Sequence, residues 1–414
     1  MPGFAQLSRR TPSREAGVDE PEEVHVTDYG AIDFALFATP VNAEFVRVDL
    51  NADKGKLVDH ALEKWDLEAE PSLLLRITGS LDDERSEELQ TSVESIIKAA
   101  STASAWLFCN GLEFGVAKLV GDILSEHRHT CSAPLIGVQM WSAVQGRDQL
   151  TVDPKGKPAG KGKKRRYTHK APDDNMSTIS LQSGHTHFLI ANDPPDPSAG
   201  TAELLAVKPE AVLLAARKKA FTFAHEFERA ASERVSAPRV LTVVCGDETT
   251  LSEVLAFTQV GSGIVLLSSD TGGLAAALTS YIVDGIVPPK WHGSAREFEE
   301  LKTLNANHAR KYGSKLRRNS TTDDMFSASK GAASEWPLIC IESDSSLLDQ
   351  AILDLVILQA SDTAAKVRFC VRWNDEKRLD QLLDHVPLWA EERIPILCEA
   401  IEFALELEHA PCIK

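Results

Sequence analysis

The stretch AWLFCNGLEFGVAKLVGDIL, residues 105–124, constrains the fold more than any other part of the sequence. Its first five residues are apolar and end at Asn110-Gly111, which is typical of a strand buried on both faces of a parallel sheet. Gly115 then opens a segment whose apolar residues recur at helical spacing. A strand, a glycine turn and a helix start can hold a phosphate, because the first N–H groups of the helix face the anion.

The same order of elements recurs along the chain. Apolar runs typical of strands lie at 45–48, 73–77, 134–140, 187–191, 240–244 and 264–267, and helical patterns separate most of them. This order predicts an α/β fold, a Rossmann-like open parallel sheet with helices on both faces. Ligands of such sheets bind at the carboxyl ends of the strands. Four strands end in glycine-containing turns there: Thr78-Gly79-Ser80, Asn110-Gly111, Cys245-Gly246 and Ser268–Gly273.

The pattern also predicts the domain boundaries. Residues 1–23 are polar and predict a disordered tail, and residues 24–285 form the α/β domain. A Gly-, Lys- and Arg-rich insertion at 150–180 predicts a solvated loop, with a nuclear-import or polyphosphate-binding patch as alternatives. Residues 286–335 have little periodicity and predict a linker. Residues 336–414 predict an all-α segment of stacked helix pairs, whose end without a polar cap indicates a truncated array.

Composition excludes several classes of protein. The net charge of −17 argues against a general nucleic-acid or anionic-membrane binder, because phosphate contacts need a basic surface. The seven cysteines are dispersed without a CxxC pair, which favours a reducing compartment over a disulfide framework or structural zinc. The sequence has no apolar secretory signal, and Asp270 and Asp284 interrupt its most apolar region. It therefore predicts a cytoplasmic chain without a membrane span.

The search for catalytic and metal-binding motifs predicts neither an enzyme nor a metal site. The sequence contains no GxSxG motif and no P-loop. His185 and His187 form an H-x-H pair without an evident third ligand nearby, so we interpret them as structural or ligand-contact residues.

Taken together, these segments resemble the cytoplasmic N-terminal region of melastatin-type transient receptor potential (TRPM) cation channels, which begins with a SLOG domain. The resemblance runs from about His25 to Lys414. Residues 105–124 match the family hallmark W-x-x-T-G-G-x-x-T-G-V-x-x-x-V-G at Trp106, Gly111, Gly115, Val116, Val120 and Gly121. GHTHFLIAND (184–193) is similar to N-H-S/T-H-F-x-x-V-D-D, and VVCGDETTLSEV (243–254) to G-G-P-x-T-L-x-x-V. The helical tail resembles the repeats that follow the SLOG domain.

The resemblance implies a cytosolic ligand-sensing or assembly region of a channel-type homo-tetramer. The implied ligand is ADP-ribose or a related nucleotide, and the membrane would be reached only through a transmembrane part outside this sequence. Arg147 matches the arginine that the family places on the ligand. The glycine turns and the resemblance together give the candidate ligand-binding residues: Gly79, Ser80, Asn110, Gly111, Gly115, Arg147, Asp193, Gly246, Thr249, Thr250, Thr271 and Gly272.

Departures from the family pattern leave alternatives open. Asn110 replaces the first glycine of the hallmark pair, and Asp247 and Glu248 replace a glycine and a proline. One alternative is a SLOG scaffold without a ligand. The other is a LOG-type nucleotide phosphoribohydrolase, whose P-G-G-x-G-T-x-x-E motif is kept here only at Gly246, Thr250 and Glu253.

Overall fold

The computed structural model describes residues 26–34, 41–65, 71–80, 86–152, 160–170, 178–193, 209–261, 263–318, 338–359, 363–384 and 393–406. The predicted disordered tail, residues 1–23, lies outside them. The described strands are β1 (Val26–Phe34), β2 (Val41–Asp49), β3 (Leu74–Thr78), β4 (Trp106–Cys109), β5 (Leu135–Met140), β6 (Arg165–Tyr167), β7 (His187–Asn192), β8 (Arg239–Val244), β9 (Ile264–Ser268) and β10 (Ile339–Glu342). The described α-helices are α1 (Lys54–Lys64), α2 (Glu87–Thr102), α3 (Gly115–Glu126), α4 (Pro209–Val235), α5 (Glu248–Val260), α6 (Gly273–Asp284), α7 (Ala295–Arg318), α8 (Leu348–Gln359), α9 (Thr363–Arg372), α10 (Glu376–Asp384) and α11 (Arg393–Glu406).

The strands form one sheet in the order β10-β9-β8-β3-β4-β5-β7-β2-β1-β6. All neighbouring strands run parallel except the antiparallel pair β1 and β2. From β3 the chain passes to β4 and β5 on one side and later returns to β8 and β9 on the other. The strand order therefore reverses between β3 and β8, which is where open α/β sheets bind ligands. The predicted α/β class is confirmed.

Helices cover both faces of the sheet. Every residue of β3, β4, β5, β8 and β9 is buried, as expected for strands with a helical layer on each side. Leu107 packs in one apolar cluster with α2, α3 and α8, whereas its neighbours Trp106 and Phe108 pack with α1 and α4. Side chains of successive strand residues point to opposite faces, so the two clusters lie on opposite sides of the sheet.

The predicted linker is wrong over much of its length. Residues 289–294 form a 3-10 helix and residues 295–318 form α7, with Phe298 and Leu301 fully buried. The next buried residue on this face of α7 is the polar Asn305, four residues after Leu301. The apolar periodicity of the sequence is therefore weak in this helix. β10 then pairs with β9, so the segment predicted to be all-α begins with a strand of the sheet.

The prediction of a solvated loop at 150–180 is wrong for residues 165–167. These residues form β6, which pairs in parallel with β1. Arg165 and Tyr167 are fully buried. Arg165 tolerates burial because its Nη2 donates to Asp28 at 3.1 Å and its Nε donates to the Leu150 carbonyl at 3.0 Å.

The C-terminal helices pack on the sheet through α8. Leu348, Ile352 and Val356 are fully buried in the same apolar cluster as α2 and α3. α9, α10 and α11 extend this cluster through residues such as Cys370 and Ala404. None of the helices in the described ranges is both long and apolar enough to cross a membrane.

Candidate functional site

The first group of candidate residues lies where the strand order reverses. We name it the switch crevice and define it by Thr78, Gly79, Ser80, Arg217, Gly246, Asp247, Thr250 and Glu253. β3 and β8 bring their terminal turns together here, because the two strands are hydrogen-bonded neighbours. Arg217 reaches the crevice from α4, and Glu253 from α5.

A buried ion pair fills the centre of the switch crevice. Arg217 Nε donates to Glu253 Oε1 at 2.9 Å, and both residues are about 5% exposed or less. Arg217 Nη2 also donates to the Gly79 carbonyl at 2.8 Å and to Thr250 Oγ1 at 3.2 Å. The hydroxyl of Thr78 donates to the second oxygen of Glu253. The adjoining cavity measures about 20 Å³, room for a water molecule but not for a nucleotide.

The helix N-termini around the crevice differ in how fully other groups of the protein bond their first backbone N–H groups. Asp247 caps α5, accepting from Thr250 N at 2.8 Å. The first amides of α6 donate to the carbonyls of Cys245 and Gly246 at 2.9 and 3.0 Å. The first turn of α3 is the least engaged of the three. Phe114 at its N-cap position makes no side-chain cap, and Val116 N reaches Ser80 O only at 3.5 Å.

Two of the candidate glycines have different roles. Gly111 has φ +73°, and a Cβ there would lie 2.8 Å from the Cα of Gly137, so this glycine lets β5 approach the turn. Gly272 has φ +83°, and a Cβ there would meet nothing within 4 Å. The backbone at Gly272 is therefore open to a ligand, whereas the hallmark Gly111 is explained by strand packing.

A second group lies at the carboxyl ends of β5 and β7, and we name Arg47 and Arg147 within it the arginine pair. The Arg47 guanidinium lies 3.8 Å above the centre of the Trp141 ring, and its Nε donates to Asn192 Oδ1 at 2.6 Å. Arg147 Nη1 donates to the carbonyls of Ser142 and Trp141 at 2.8 and 3.2 Å. These contacts hold both cations against Trp141.

The two arginines influence each other electrostatically. Burial lowers the pKa of Arg47 below its ordinary value, and the charge of Arg147 lowers it further, although Asp28 and Asp49 act in the opposite direction. Asp193 positions the segment that carries Arg147, because its carboxylate accepts from Ser142 N at 3.0 Å and from the Ser142 hydroxyl.

The candidate residues predicted from the sequence fall into two separate groups in the structure. Asn110 lines the cavity of the switch crevice, and the Thr271 hydroxyl is 2.6 Å from Cys245 N beside it. Arg147 is not part of the crevice, because it lies seven residues after the end of β5, and β5 itself is about 10 Å from β3 across the sheet. The residues placed in or beside the crevice are Gly79, Ser80, Asn110, Gly111, Gly115, Gly246, Thr249, Thr250, Thr271 and Gly272.

Sequence reasoning missed Arg47, Trp141 and Arg217. Arg47 lies within the apolar run AEFVRVDL, and a charged residue inside such a strand was a usable signal. Arg217 lies in a helix rich in Ala, Lys and Glu. Nothing in the sequence distinguishes it from the solvent-exposed charged residues of that helix.

The histidines and the buried cysteine beside them lie within the packed interior. Burial lowers the pKa of His185 to about 3 and that of His187 to about 4. His185 Nε2 lies 2.8 Å from Cys109 Sγ, whereas His187 packs against Trp65 with ring centroids 4.7 Å apart. Burial raises the pKa of Cys109 to about 12. No group of three or more His, Cys, Asp or Glu residues that could hold a metal occurs in the part of the chain that the structure describes.

Comparison with known proteins gives consistent matches. The sequence model of a family described as SLOG in TRPM matches residues 43–304. The transient receptor potential cation channel trpm of Drosophila melanogaster is 26% identical over 261 residues, which are 61% of this chain and 12% of that protein. Subfamily M member 1 of Mus musculus is 30% identical over 192 residues, 44% of this chain and 11% of that protein.

A third relative matches over a longer range. The subfamily M member-like 2 channel of Nematostella vectensis is 23% identical over 391 residues, 87% of this chain and 23% of that protein. The chain thus spans between a tenth and a quarter of the length of these curated relatives.

Proposed function

The chain belongs to the SLOG in TRPM family, and from this premise we propose that it is the cytosolic ligand-sensing and assembly region of a TRPM-type cation channel. Its partners would be further subunits of a homo-tetrameric channel. It would lie at the cytosolic face of a membrane and would reach the bilayer only through a transmembrane part. The channel names of the relatives that match it support this proposal.

We propose that the ligand is a nucleotide with a diphosphate group, such as ADP-ribose. The observation that carries this proposal is the arginine pair, in which two partly exposed guanidinium groups both lie against Trp141, directly after the carboxyl end of β5. An anion bound between the two arginines would be attracted by both, although Asp28 and Asp49 already offset part of the charge of Arg47. Guanidinium groups bind phosphate oxygens in a bidentate manner, so a diphosphate matches two adjacent arginines.

The rest of the nucleotide would extend from the arginine pair towards the switch crevice. The weakly engaged first turn of α3, which follows β4, offers open backbone there. The carboxylates of Asp247 and Glu253 make the crevice centre unfavourable for a second anion. We therefore assign the phosphates to the arginine pair and the uncharged part of the ligand to the crevice side.

The geometry supports binding better than catalysis. A LOG-type hydrolase would use Glu253, but one oxygen of this residue accepts from Arg217 and the other from Thr78. A carboxylate with both oxygens engaged by protein donors is poorly placed to act on a substrate. We therefore propose a non-enzymatic function.

A scaffold without a ligand is the second candidate. The small cavity and the protein-bonded starts of α5 and α6 favour it. Under this hypothesis the residues of the switch crevice only stabilise the fold, and the helical segment mediates assembly.

Isothermal titration calorimetry of the full chain with ADP-ribose separates the two candidates. Arg147→Ala should weaken binding about tenfold to a hundredfold, because a hydrogen bond to a charged group contributes about 1.5–3 kcal/mol. Arg229→Ala is the matched control, since this arginine is half-exposed on α4 and contacts Glu233 of the same helix at 3.9 Å. Absence of heat and of thermal stabilisation at high ligand would refute nucleotide sensing and support the scaffold.

A further inference from the structure

The basic run of the sequence lies at the last strand of the sheet. β6 pairs with β1 on one side and ends the strand order. Five cationic side chains on and beside β6 are exposed, and we name them the basic edge: Lys161, Lys163, Lys164, Arg166 and Lys170.

The basic edge is held on a fixed strand. Arg165 and Tyr167 are fully buried and anchor β6, and Nη2 of Arg165 donates to Asp28 at 3.1 Å. Side chains alternate along a strand, so Arg166 and the preceding Lys164 point away from these anchors. The cations are therefore presented at defined spacing along the margin of the sheet.

Most of these cations have no ion-pair partner among the residues that the structure describes. Lys164 Nζ lies 3.5 Å from Asp33, and Lys161 Nζ donates to the Val26 carbonyl at 2.9 Å. Lys163, Arg166 and Lys170 form no ion pair with any residue that the structure describes. Such a concentration of cations stands out in a chain of net charge −17.

We propose that the basic edge binds an extended acidic segment of a partner polypeptide, which adds to the sheet beside β6. An edge strand offers backbone N–H and C=O groups for strand addition. Asp or Glu at alternate positions of the added strand would face Lys164 and Arg166 across the pair. The same cations repel a second copy of this edge, so they select an acidic partner over self-association.

Two other classes of anionic partner fit the basic edge less well. Single-stranded nucleic acids stack their bases on exposed aromatic rings, but Tyr167 is fully buried here. Surface-bound helices and segments enter a membrane through apolar side chains beside their cations. Within residues 160–170, which the structure describes without a gap, no large apolar side chain is exposed.

Fluorescence anisotropy tests the proposal with the full chain and a labelled peptide of alternating Glu and Val. The double variant Lys164→Glu/Arg166→Glu should raise the Kd about tenfold or more, because each exposed ion pair lost changes the Kd by up to about fivefold. The control is Lys218→Glu/Lys219→Glu, two exposed lysines on α4 with the same change in net charge. The control should bind the peptide as the unaltered chain does.

Hydrogen exchange supplies a readout that general charge attraction would not change. Peptide addition should slow exchange at those amides of 164–167 that point away from β1, because an added strand would bond this edge of β6. The proposal is overturned if both double variants weaken binding equally or if no amide of β6 becomes protected. Tighter binding of polyuridylate or of phosphatidylserine vesicles than of the acidic peptide would also overturn it.

Discussion

A buried charge network beneath α4 gives the sharpest prediction about stability. Glu228 accepts from Arg76 Nε at 2.6 Å and lies 3.3 Å from Arg239 Nη2. All three residues are 5% exposed or less, so the two arginines depend on Glu228 as a buried counter-charge. Removing one partner of a buried ion pair destabilises a protein by about 3–5 kcal/mol, because the remaining charge stays buried without compensation.

Glu228→Ala should therefore lower the free energy of unfolding by about 3–5 kcal/mol, measured by urea denaturation followed by circular dichroism. Glu233→Ala on the same helix is the matched control. Its side chain is 74% exposed, and its contact with Arg229 is 3.9 Å long, so we expect a change below about 0.5 kcal/mol.

A third variant tests whether uncompensated charge is the cause. Replacing Arg76 and Arg239 by Met together with Glu228→Leu removes all three charges and fills similar volumes, so it should cost less than Glu228→Ala alone. The reasoning is refuted if Glu228→Ala changes the unfolding free energy by less than about 1 kcal/mol. It is also refuted if the triple variant is the less stable of the two.

Two further predictions concern proton binding and backbone geometry. Burial raises the pKa of Asp354 to about 6, although its ion-pair partner Arg378 acts in the opposite direction. The folded chain therefore holds this proton more tightly than the unfolded chain, and stability should fall as pH rises from about 4 to 6. Urea midpoints measured across this range should lose that slope in Asp354→Asn, and an unchanged slope would contradict the assignment. Gly111→Ala should destabilise the fold by about 1–3 kcal/mol through its positive φ and its contact with β5. Gly160→Ala, at a site with no atoms within 4 Å of the new Cβ, should be close to neutral in the same unfolding assay.

Local patterns made the central part of the fold predictable. The strand, turn and helix from Ala105 to Leu124 appear as β4, the Asn110-Gly111 turn and α3, because apolar periodicity and glycine positions are local properties of a sequence. The resemblance to TRPM channels drawn from these motifs is confirmed by the family match. The ligand-binding role of the twelve candidate residues stays a prediction.

Features that depend on distant partners were not predictable in this way. β6 was missed because Arg165 is stable in a buried strand only when Asp28, far away in the sequence, supplies its counter-charge. Arg217 was missed for the same reason, since its partner Glu253 lies on another helix. A sequence pattern records the type of each residue, whereas burial of a charge depends on which residues the fold brings beside it.

The contacts of Asp270 relate the ligand-binding edge of the sheet to the helical segment. Asp270 lies in the turn after β9, directly before the candidate residues Thr271 and Gly272, and it accepts from Ser345 N at 2.9 Å and from the Ser345 hydroxyl. The Ser92 hydroxyl on α2 lies 2.7 Å from that of Ser345.

Ser345 begins the 3-10 turn 345–347 that leads into α8, which packs on α2 against the sheet. The turn after β9 is therefore joined to the turn before α8 by two hydrogen bonds to the Asp270 carboxylate, and hydrogen bonds to a carboxylate are stronger than those between neutral groups. A displacement of this turn would have to break the bonds of Asp270 or carry the start of α8 with it. For a region proposed to sense a ligand at this edge, α8 is thus the element through which the helical segment would respond.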